Sequence, residues 1–481
     1  MSRGGETNIS RTIVKAMGVF GSIQVFNILC SVVRTKLVAL WIGPLGMGLF
    51  AIFNSAIDMI VNIANFGMRT SATRSISMAS DNPDKLNRIS VAARRWAMWL
   101  GALGAIAMII ASPWLSEMSF GDRSHVWGYV ILAIAVFANS LTLGEQAVMQ
   151  GTSMLKKLAQ ASFYGALVGL ILSIPLYYFL GEQSIVPSIL CYSLSVLIFS
   201  YFIRKKGLGL QGCTLTIKDT LAIGKDFLKL GIFITLTDVV SQTSNYIFIS
   251  YLNNVANTET VGYYQAGYTL IARYTGLILS ALCVEYFPRL SKVAHSNMKL
   301  NIFVSQEINI ALMVLTPVIV AFILFARLII TILYTDEFFI IQNFITIGIV
   351  GMVFRVFSWC MSFVVLAKGR GKMFFIIEVM DIFVFLGAYI TAYHFYGLDG
   401  FGGAFILWYF ISTLIVMFCY YHFFNLRLNA ACFKWGLWAL STSIVTLVAM
   451  QNGLVLVAVA MLVFTAVYSA VKFRALMSRH K

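Results

Sequence analysis

The hydrophobic pattern of the chain consists of long apolar runs separated by short polar segments. A helix that crosses the hydrocarbon core of a bilayer needs about 20 mostly apolar residues. The runs therefore predict an all-α integral membrane protein with about 14 transmembrane helices. The predicted spans cover residues 13–40, 46–68, 93–113, 126–149, 159–180, 185–203, 227–252, 260–285, 303–330, 341–367, 373–394, 402–424, 433–450 and 453–472.

The placement of basic residues tests this count independently, because Lys and Arg resist translocation across the membrane. With the N-terminus placed in the cytoplasm, 29 of the 35 basic residues lie in the predicted inner segments, when residues at the inner edges of the spans are included. The predicted outer loops contain only Arg123, and the remaining five lie within spans. An error in the number of helices would scramble this alternation from that point onward. We therefore predict an even number of spans with both termini in the cytoplasm.

Composition agrees with a membrane protein, since 59% of the residues are hydrophobic and 11% are charged. Soluble domains carry about a quarter charged residues. The net charge of +16 is spread over many short loops and does not form one patch. It therefore indicates membrane topology and attraction to anionic membrane lipids, and nucleic acid is excluded as a partner.

The chain divides at its longest predicted inner connection, residues 204–226, which follows the sixth span. We predict an N-terminal six-helix lobe at 1–203, a C-terminal six-helix lobe at 227–424, and two extra helices with a cytoplasmic tail at 425–481. A weak internal repeat supports duplicated halves. The segments LVALWIGPLGMGLFAIFNS and YLNNVANTETVGYYQAGYT both run from an apolar helix end, through a short turn, to a Gly and an aromatic residue that open the next helix.

Polar residues recur at helical spacing on several spans, and each charge among them needs a reason because it costs about 2.5–3.5 kcal/mol at mid-bilayer. We expect these faces to line one hydrated cavity between the two bundles. The faces are Gln24, Asn27, Ser31 and Arg34; Asn54, Asp58, Asn62 and Asn65; Thr235, Asp238, Gln242 and Asn245; Thr269, Arg273 and Ser280; and Arg355, Ser358 and Ser362.

The alternative is that these charges form buried ion pairs or hydrogen bonds between helices, for example Asp58 with Arg273. On the cavity-facing helices, however, the cations Arg34, Lys36, Arg273 and Arg355 outnumber the acids Asp58 and Asp238. That surplus favours an anionic ligand, and the planar fork of Arg suits phosphate oxygens. Glu145, Glu378 and Asp381 would erase the surplus if they faced the same cavity. Three tyrosines could stack on sugars, but we favour a place in the core or in the interfacial aromatic belt: Tyr263, Tyr264 and Tyr268.

Motifs for catalysis and for cofactors are missing from the sequence. The chain has no GxxxxGK[ST] loop, no HExxH motif and no catalytic triad pattern, and its seven cysteines show no CxxC spacing. We therefore expect a protein that is not an enzyme, with no catalytic residue, no cofactor and no metal site. A membrane glycosyltransferase would need a large outer loop with catalytic groups, whereas the predicted outer loops are short.

Several segments of the sequence resemble those of a known family of membrane transporters. The stretches TKLVALWIGPLGMGLFAIFNS, FGMRTSATRSIS and DNPDKLNR resemble the opening of Wzx-type O-antigen flippases. These belong to the polysaccharide transport branch of the superfamily that also contains the MATE multidrug exporters. The segment VGYYQAGYTLIARYTGLILSALCVEYFPRLSK is similar to the eighth helix of the same family. The resemblance covers roughly residues 10–425.

The resemblance implies two six-helix lobes in a MATE-like arrangement that rock about a cationic cavity. It implies a bacterial inner-membrane protein that moves undecaprenyl-diphosphate-linked oligosaccharide from the cytoplasmic to the periplasmic leaflet, driven by an ion gradient. A polysaccharide polymerase and a chain-length regulator are its implied protein partners. Lys36 lies where the family pattern carries a basic residue, and Arg273 lies in the eighth-helix motif. The last two helices resemble instead the fourteen-helix lipid II flippases.

We therefore expect Arg34, Lys36, Arg273 and Arg355, with Gln24 and Asn27, to bind the diphosphate and sugars. Asp58 and Asp238 are expected to gate the cavity or to take up the coupling ion. A flippase for lipid II or for another polyprenyl-linked precursor is the main alternative. A MATE-like drug exporter is disfavoured, because cationic drugs call for acidic cavity residues.

Overall fold

A computed structural model describes residues 29–65, 67–79, 82–207, 215–229 and 232–478. These residues form helices, and no strand occurs among them. The first nine helices are α1 (29–41), α2 (Gly43–Asn65), α3 (Met68–Met78), α4 (Pro83–Phe120), α5 (Val126–Gly151), α6 (Leu155–Leu180), α7 (Ile185–Gly207), α8 (Ile217–Lys229) and α9 (Ile232–Val255). The next five are α10 (Thr258–Tyr268), α11 (Thr275–Lys292), α12 (Asn297–Leu324), α13 (Ala326–Leu333) and α14 (Gln342–Gly348). The last five are α15 (Met352–Ala367), α16 (Gly371–Tyr396), α17 (Gly400–His422), α18 (Ala430–Gln451) and α19 (Val455–Ser478).

The all-α membrane fold predicted from the sequence is confirmed. Nine segments of the described chain are long and apolar enough to cross a membrane. Two of them, Leu155–Lys206 and Gly371–His422, contain 52 residues each. A continuous helix of that length would measure roughly 78 Å, far more than the ~30 Å of a bilayer core. Short 3₁₀ turns at Gly181–Ser184 and Gly397–Asp399 break each into two helices that pack against each other.

Helices occur at all fourteen predicted positions, although the beginning of the first span lies outside the described residues. Several are longer than predicted. The helix α4 extends well beyond the predicted 93–113, because Asn82 caps its start by accepting a hydrogen bond from the Lys85 N–H (3.1 Å). Pro83 follows at the first helical position, and Gly121 ends the helix in the left-handed conformation (φ 76°).

The chain forms two compact units, Met1–Gly262 and Tyr263–Lys481. In unit 1, α2 packs against α4, α5 and α9, and the pairs α4–α5 and α6–α7 pack most extensively. The glycines allow close helix approach, since a Cβ on Gly48 would lie 1.9 Å from the Thr258 carbonyl oxygen. The predicted lobes at 1–203 and 227–424, with the extra helices at 425–481, are a division by topology and stay a prediction.

In unit 2, α12 packs against α15, α18 and α19, while α16 and α17 form a hairpin. Its core is rich in aromatic side chains. Tyr264 is 1% exposed and its ring contacts those of Phe344, Tyr389 and Phe401. Tyr264 therefore belongs to the core, as the favoured interpretation of the three tyrosines expected.

Two described helices were not predicted. The helix α3 lies where the sequence suggested an inner loop, and α8 lies in the predicted linker 204–226. Both pack against α4, and α3 also packs against α5. The linker is therefore a structured part of unit 1, at least from Leu215 to Gly224.

Candidate functional site

Arg34 is the first predicted ligand-binding residue whose surroundings the structure describes. Its guanidinium carbon lies 4.8 Å from the centre of the Phe50 ring and 4.2 Å from that of Tyr192. Both distances are typical of cation–π contacts. The side chain is half-buried, so its positive charge is held between two rings while part of it stays accessible.

Lys36 is also half-buried, but it follows Arg34 by two positions on the same helix. Residues spaced by two do not share a helix face. Arg34 and Lys36 are therefore not neighbours on one surface of α1. Gln24 and Asn27, the other predicted members of this face, lie outside the described residues.

The predicted polar residues of α2 lie in two different environments. The Asn65 side chain is buried and donates to the Val61 carbonyl and to the Ser140 hydroxyl, both at 2.8 Å, so it joins α2 to α5. Asp58 is exposed, and its backbone carbonyl accepts a hydrogen bond from the Asn62 side chain (2.8 Å). On α9, Asp238 is exposed as well, while Thr235 is buried. Both predicted gating acids are therefore exposed in the fold, and their role stays a prediction.

Glu145 has a structural environment that accounts for its charge. It is 5% exposed and accepts hydrogen bonds from Arg94 (2.7 Å) on α4 and from Arg204 on α7. The ring of Tyr201 lies under both guanidinium groups, at 5.8 and 5.4 Å. These contacts tie α4, α5 and α7 together. Because its own two arginines neutralise Glu145, it does not reduce the cationic surplus that the sequence indicated.

Sequence reasoning missed Arg94 and Arg204 as partners of Glu145. The count of basic residues places both in inner segments, since they lie at the edges of the predicted spans 93–113 and 185–203. A basic residue at a helix end can snorkel to the membrane surface or turn inward to a carboxylate, and the two choices look alike in sequence. The signal that could have revealed them is the unexplained acid in an apolar helix.

In unit 2, Arg273 lies in a π-helical stretch, Thr269–Tyr274, that connects α10 to α11. Its side chain is exposed, whereas the preceding Ile271 and Ala272 are buried. Arg355 on α15 is half-buried, and its Nη1 donates to the Ala272 carbonyl oxygen (2.8 Å). Its guanidinium carbon lies 5.3 Å from the centre of the Tyr409 ring. The two predicted cations of unit 2 therefore lie next to each other in the fold.

Asp381 on α16 is close enough to Arg355 to interact with it electrostatically. Its carboxylate accepts a hydrogen bond from the Ser412 hydroxyl on α17. Glu378 lies one turn earlier on the same helix and is half-buried. Asp381 therefore offsets part of the charge of Arg355. Among the described residues, no carboxylate lies within salt-bridge distance of Arg34 or Arg273.

Comparison with known proteins places these features in context. The model of a family described as "Polysaccharide biosynthesis protein" matches residues 41–343. The "Lipid III flippase" of Escherichia coli (strain K12) is 22% identical over 352 residues, which cover 72% of this chain and 82% of that protein. The Shigella flexneri protein of the same name matches equally.

Solved structures share the fold at low sequence identity. The lipid II flippase MurJ in an inward closed conformation has a TM-score of 0.70 at 15% identity, covering 95% of this chain and 99% of its own. A MATE family multidrug transporter in an inward-facing conformation has a TM-score of 0.69 at 17% identity, covering 89% and 98%. A Pyrococcus furiosus transporter of the same superfamily, described as having a binding pocket of reverse polarity, has a TM-score of 0.60 at 19% identity, covering 89% and 96%. These relatives are flippases and transporters, not catalytic enzymes.

Proposed function

Because the chain belongs to the polysaccharide biosynthesis protein family, we propose that it is a flippase for an undecaprenyl-diphosphate-linked oligosaccharide. The proposed cargo is O-antigen or a similar surface polysaccharide repeat unit. The proposed direction is from the cytoplasmic to the periplasmic leaflet of a bacterial inner membrane, with both termini in the cytoplasm. The similarity to a lipid III flippase and the fold shared with a lipid II flippase support a polyprenyl-linked cargo.

The observation that carries this proposal is the positive charge of Arg34 and Arg273, for which the described residues supply no carboxylate within salt-bridge distance. An Arg in the middle of a membrane is unfavourable by about 2.5–3.5 kcal/mol unless it is solvated or paired. Within the described chain, rings hold Arg34 and a π-helical turn presents Arg273, but no carboxylate pairs with either. Such groups match a diphosphate, which must exchange its hydration for donors as it crosses.

In the proposed mechanism, cations and amides replace the water around the diphosphate and sugars while the polyprenyl tail stays in lipid. The proposed binding residues are Arg34, Lys36, Arg273, Arg355, Gln24 and Asn27. Alternation between inward- and outward-facing states moves the headgroup, and an ion gradient drives the cycle. Asp58 and Asp238 are the proposed gating or ion-coupling acids, because both are exposed on membrane helices. A polymerase and a chain-length regulator are the proposed downstream protein partners.

The proposal is tested by complementation of a bacterial strain that lacks its polysaccharide flippase. The wild type, Arg34→Gln, Arg273→Gln and the control Arg327→Gln are compared at matched membrane levels. Arg327 suits as a control because it too lies over an aromatic ring, Phe339, at 5.0 Å. We expect the wild type and the control to restore surface polysaccharide. The other two variants should reduce it at least tenfold and accumulate lipid-linked oligosaccharide.

Full transport by both charge-neutral variants would remove the cationic site from the proposal. Restoration of cell-wall precursor export, without surface polysaccharide in any glycan background, would favour the lipid II alternative, which the fold shared with MurJ supports. A drug-resistance phenotype without glycan export would favour a MATE-like exporter, which the fold also accommodates.

A further inference from the structure

A π-helical turn interrupts the helix that occupies the predicted span 260–285. Its six residues, Thr269–Tyr274, connect α10 to α11 without a break in the chain direction. A π turn is equivalent to one residue inserted into an α-helix, and it is rare because its hydrogen bonds are poorly aligned. Within a membrane, the backbone groups that such a turn loosens need local partners, since no bulk water can serve them.

Two side chains supply donors to the carbonyls of this turn. The Thr275 hydroxyl donates to the Ile271 carbonyl. Arg355 Nη1 donates to the next carbonyl, that of Ala272, at 2.8 Å. The charged donor comes from a different helix, α15, so it fixes the turn relative to the rest of unit 2. A charged donor also gives a stronger hydrogen bond than a neutral one.

The position of Arg355 is itself fixed on several sides. Its guanidinium carbon lies 5.3 Å from the centre of the Tyr409 ring, and Asp381 interacts with it electrostatically. The helix that carries it is joined to α17 by the Thr413 hydroxyl, which donates to the Phe354 carbonyl at 2.8 Å. A Cβ added to Gly276, one turn beyond Ala272, would lie 3.6 Å from both terminal guanidinium nitrogens. Arg355 therefore lies directly against the π turn and is held there.

Arg273 follows Ala272 in the chain, so the geometry of the turn decides where its side chain lies. Each residue of an α-helix adds about 100° of rotation. If the π turn relaxed to α geometry, α10 and α11 would rotate relative to each other by about that angle, and Arg273, which lies between them, would turn by part of it. In the structure Arg273 is exposed, while Ile271 and Ala272 are 0% and 4% exposed.

We propose that Arg355 is a positioning residue that holds the π turn Thr269–Tyr274 and thereby presents Arg273 to the anionic headgroup. This inference rests on the proposed flippase function and refines the role of Arg355 within it. Arg355 acts on the headgroup mainly through Arg273, and its own contact with the ligand is secondary.

A double-mutant cycle separates positioning from independent binding. The affinity of the purified full chain for undecaprenyl diphosphate is measured in detergent micelles for wild type, Arg273→Met, Arg355→Met and the double variant. If Arg355 acts through Arg273, Arg355→Met weakens binding about tenfold alone and less than twofold when Arg273 is already absent. Two independent ligands would give effects that multiply, and that result would overturn the inference.

A second readout needs no ligand and therefore survives failure of the proposed function. The labelling rate of Arg273→Cys with a charged thiol reagent is compared with and without Arg355→Met, each on the background without the native cysteines. We expect the second substitution to change the rate at least threefold, whereas the control Arg327→Met leaves it within a factor of 1.5. An unchanged rate would show that Arg355 does not hold the turn.

The conservative variant Arg355→Lys controls for misfolding, because it keeps the positive charge and an N–H group that can donate a hydrogen bond. We expect it to elute as a single peak in size exclusion, to retain most of the labelling rate of Arg273→Cys and to recover part of the affinity. If Arg355→Lys labels like Arg355→Met although it is folded, a donor to the Ala272 carbonyl is not what fixes Arg273, and the inference fails. If undecaprenyl diphosphate does not bind the wild type while the labelling result holds, the proposed function is wrong but the positioning role stands.

Discussion

Arginine side chains within the apolar helices have three different kinds of partner, as Arg204, Arg34 and Arg355 show. Arg204 pairs with a carboxylate, Arg34 lies between two aromatic rings, and Arg355 donates to a backbone carbonyl, although Asp381 offsets part of the charge of Arg355. A carboxylate cancels the charge, whereas a ring or a carbonyl leaves the net charge in place. The partner therefore separates a structural arginine from one that can attract an anion, although all three look alike in sequence.

Removal of the Glu145 carboxylate is expected to destabilise unit 1. Glu145→Gln would leave Arg204, which is 4% exposed, as an uncompensated buried charge. Breaking a buried pair from one side costs about 3–5 kcal/mol. We expect a large drop in the midpoint of thermal unfolding, measured in detergent. The matched control is Glu117→Gln, whose pair with Arg123 is exposed and should contribute less than about 1 kcal/mol. Equal drops for both variants would contradict the structural role of Glu145.

The loop between α4 and α5 should make stability depend on pH. Burial lowers the pKa of His125, which stacks on Phe120 (ring centres 3.8 Å apart), and the charge of Asp122 opposes this in part. A lowered imidazole pKa means that the unfolded chain binds protons first as the pH falls. The contribution of His125 is thus complete above its ordinary pKa of about 6.5 and is lost as the pH falls through its folded value.

We therefore expect the unfolding temperature to be constant above about pH 7.5 and to decrease as the pH falls below the ordinary imidazole pKa of about 6.5. His125→Gln should flatten this decrease, measured as the unfolding midpoint in detergent across that range. The control is His394→Gln, because His394 is exposed. A slope unchanged by His125→Gln but reduced by His394→Gln would assign the pH dependence elsewhere. The pKa of Asp122 is also lowered, because the Ser124 hydroxyl and backbone N–H donate to it, but its effect falls at lower pH.

At the scale of elements, α8 is attached to α4 by polar contacts made by the α4 side chains. The Trp96 indole N–H donates to the Thr220 carbonyl (2.8 Å), and Arg95 donates to the Leu215 carbonyl (2.6 Å). Arg88 forms an exposed ion pair with Asp219 (3.8 Å). Gly224 lies so close to the Trp96 ring that no side chain fits there, since a Cβ would be 1.8 Å from Nε1.

Loss of the hydrogen bond from the Trp96 indole N–H should weaken the attachment of α8 to α4 without disturbing α4 itself. We expect Trp96→Phe to speed amide hydrogen exchange in residues 217–224 about fivefold, because a typical hydrogen bond contributes about 1 kcal/mol. Exchange is measured by mass spectrometry on the detergent-solubilised chain. Trp99→Phe is the control, since Trp99 lies one turn away and contacts Trp96 edge to face. Equal acceleration by both variants would mean that ring packing, not the Thr220 bond, holds α8.

The spans could be predicted because unsatisfied polar backbone groups and polar side chains are unfavourable in lipid. Each membrane helix therefore requires a long apolar run. The pattern at 217–229 is equally regular but short and polar on one side, so the sequence predicts only a linker there. The π turn at Thr269–Tyr274 has no sequence signature at all. It depends on a donor 83 residues away, Arg355, which no local pattern connects to Ala272. The helices that carry Arg34, Asp58 and Arg273 could be predicted, whereas the ring contacts of Arg34 and the π turn that contains Arg273 could not; that the polar faces converge stays a prediction.

At the scale of the whole molecule, the predicted topology divides the charges by side of the membrane. Arg123, the one basic residue in the predicted outer loops, is paired with Glu117 at 2.6 Å, so even this charge is offset. The predicted inner segments hold 29 of the 35 basic residues. Anionic lipid headgroups on the cytoplasmic leaflet attract such segments. The chain should therefore insert in a single orientation.

That orientation can be measured with reporter fusions along the chain. Alkaline phosphatase fused after Ser124 should be active, because the loop between α4 and α5 is predicted to reach the periplasm. The same reporter fused after Ser153, between α5 and α6, should be inactive, and green fluorescent protein fused after Lys481 should fluoresce. Activity after both Ser124 and Ser153 would mean that α5 does not cross the membrane, although it is one of the nine segments of the described chain apolar enough to do so. If the C-terminal green fluorescent protein did not fluoresce, the C-terminus would lie outside the cytoplasm and the number of spans would be odd. That result would place the tail residues Lys472 and Arg474 outside, against the rule from which the topology was predicted.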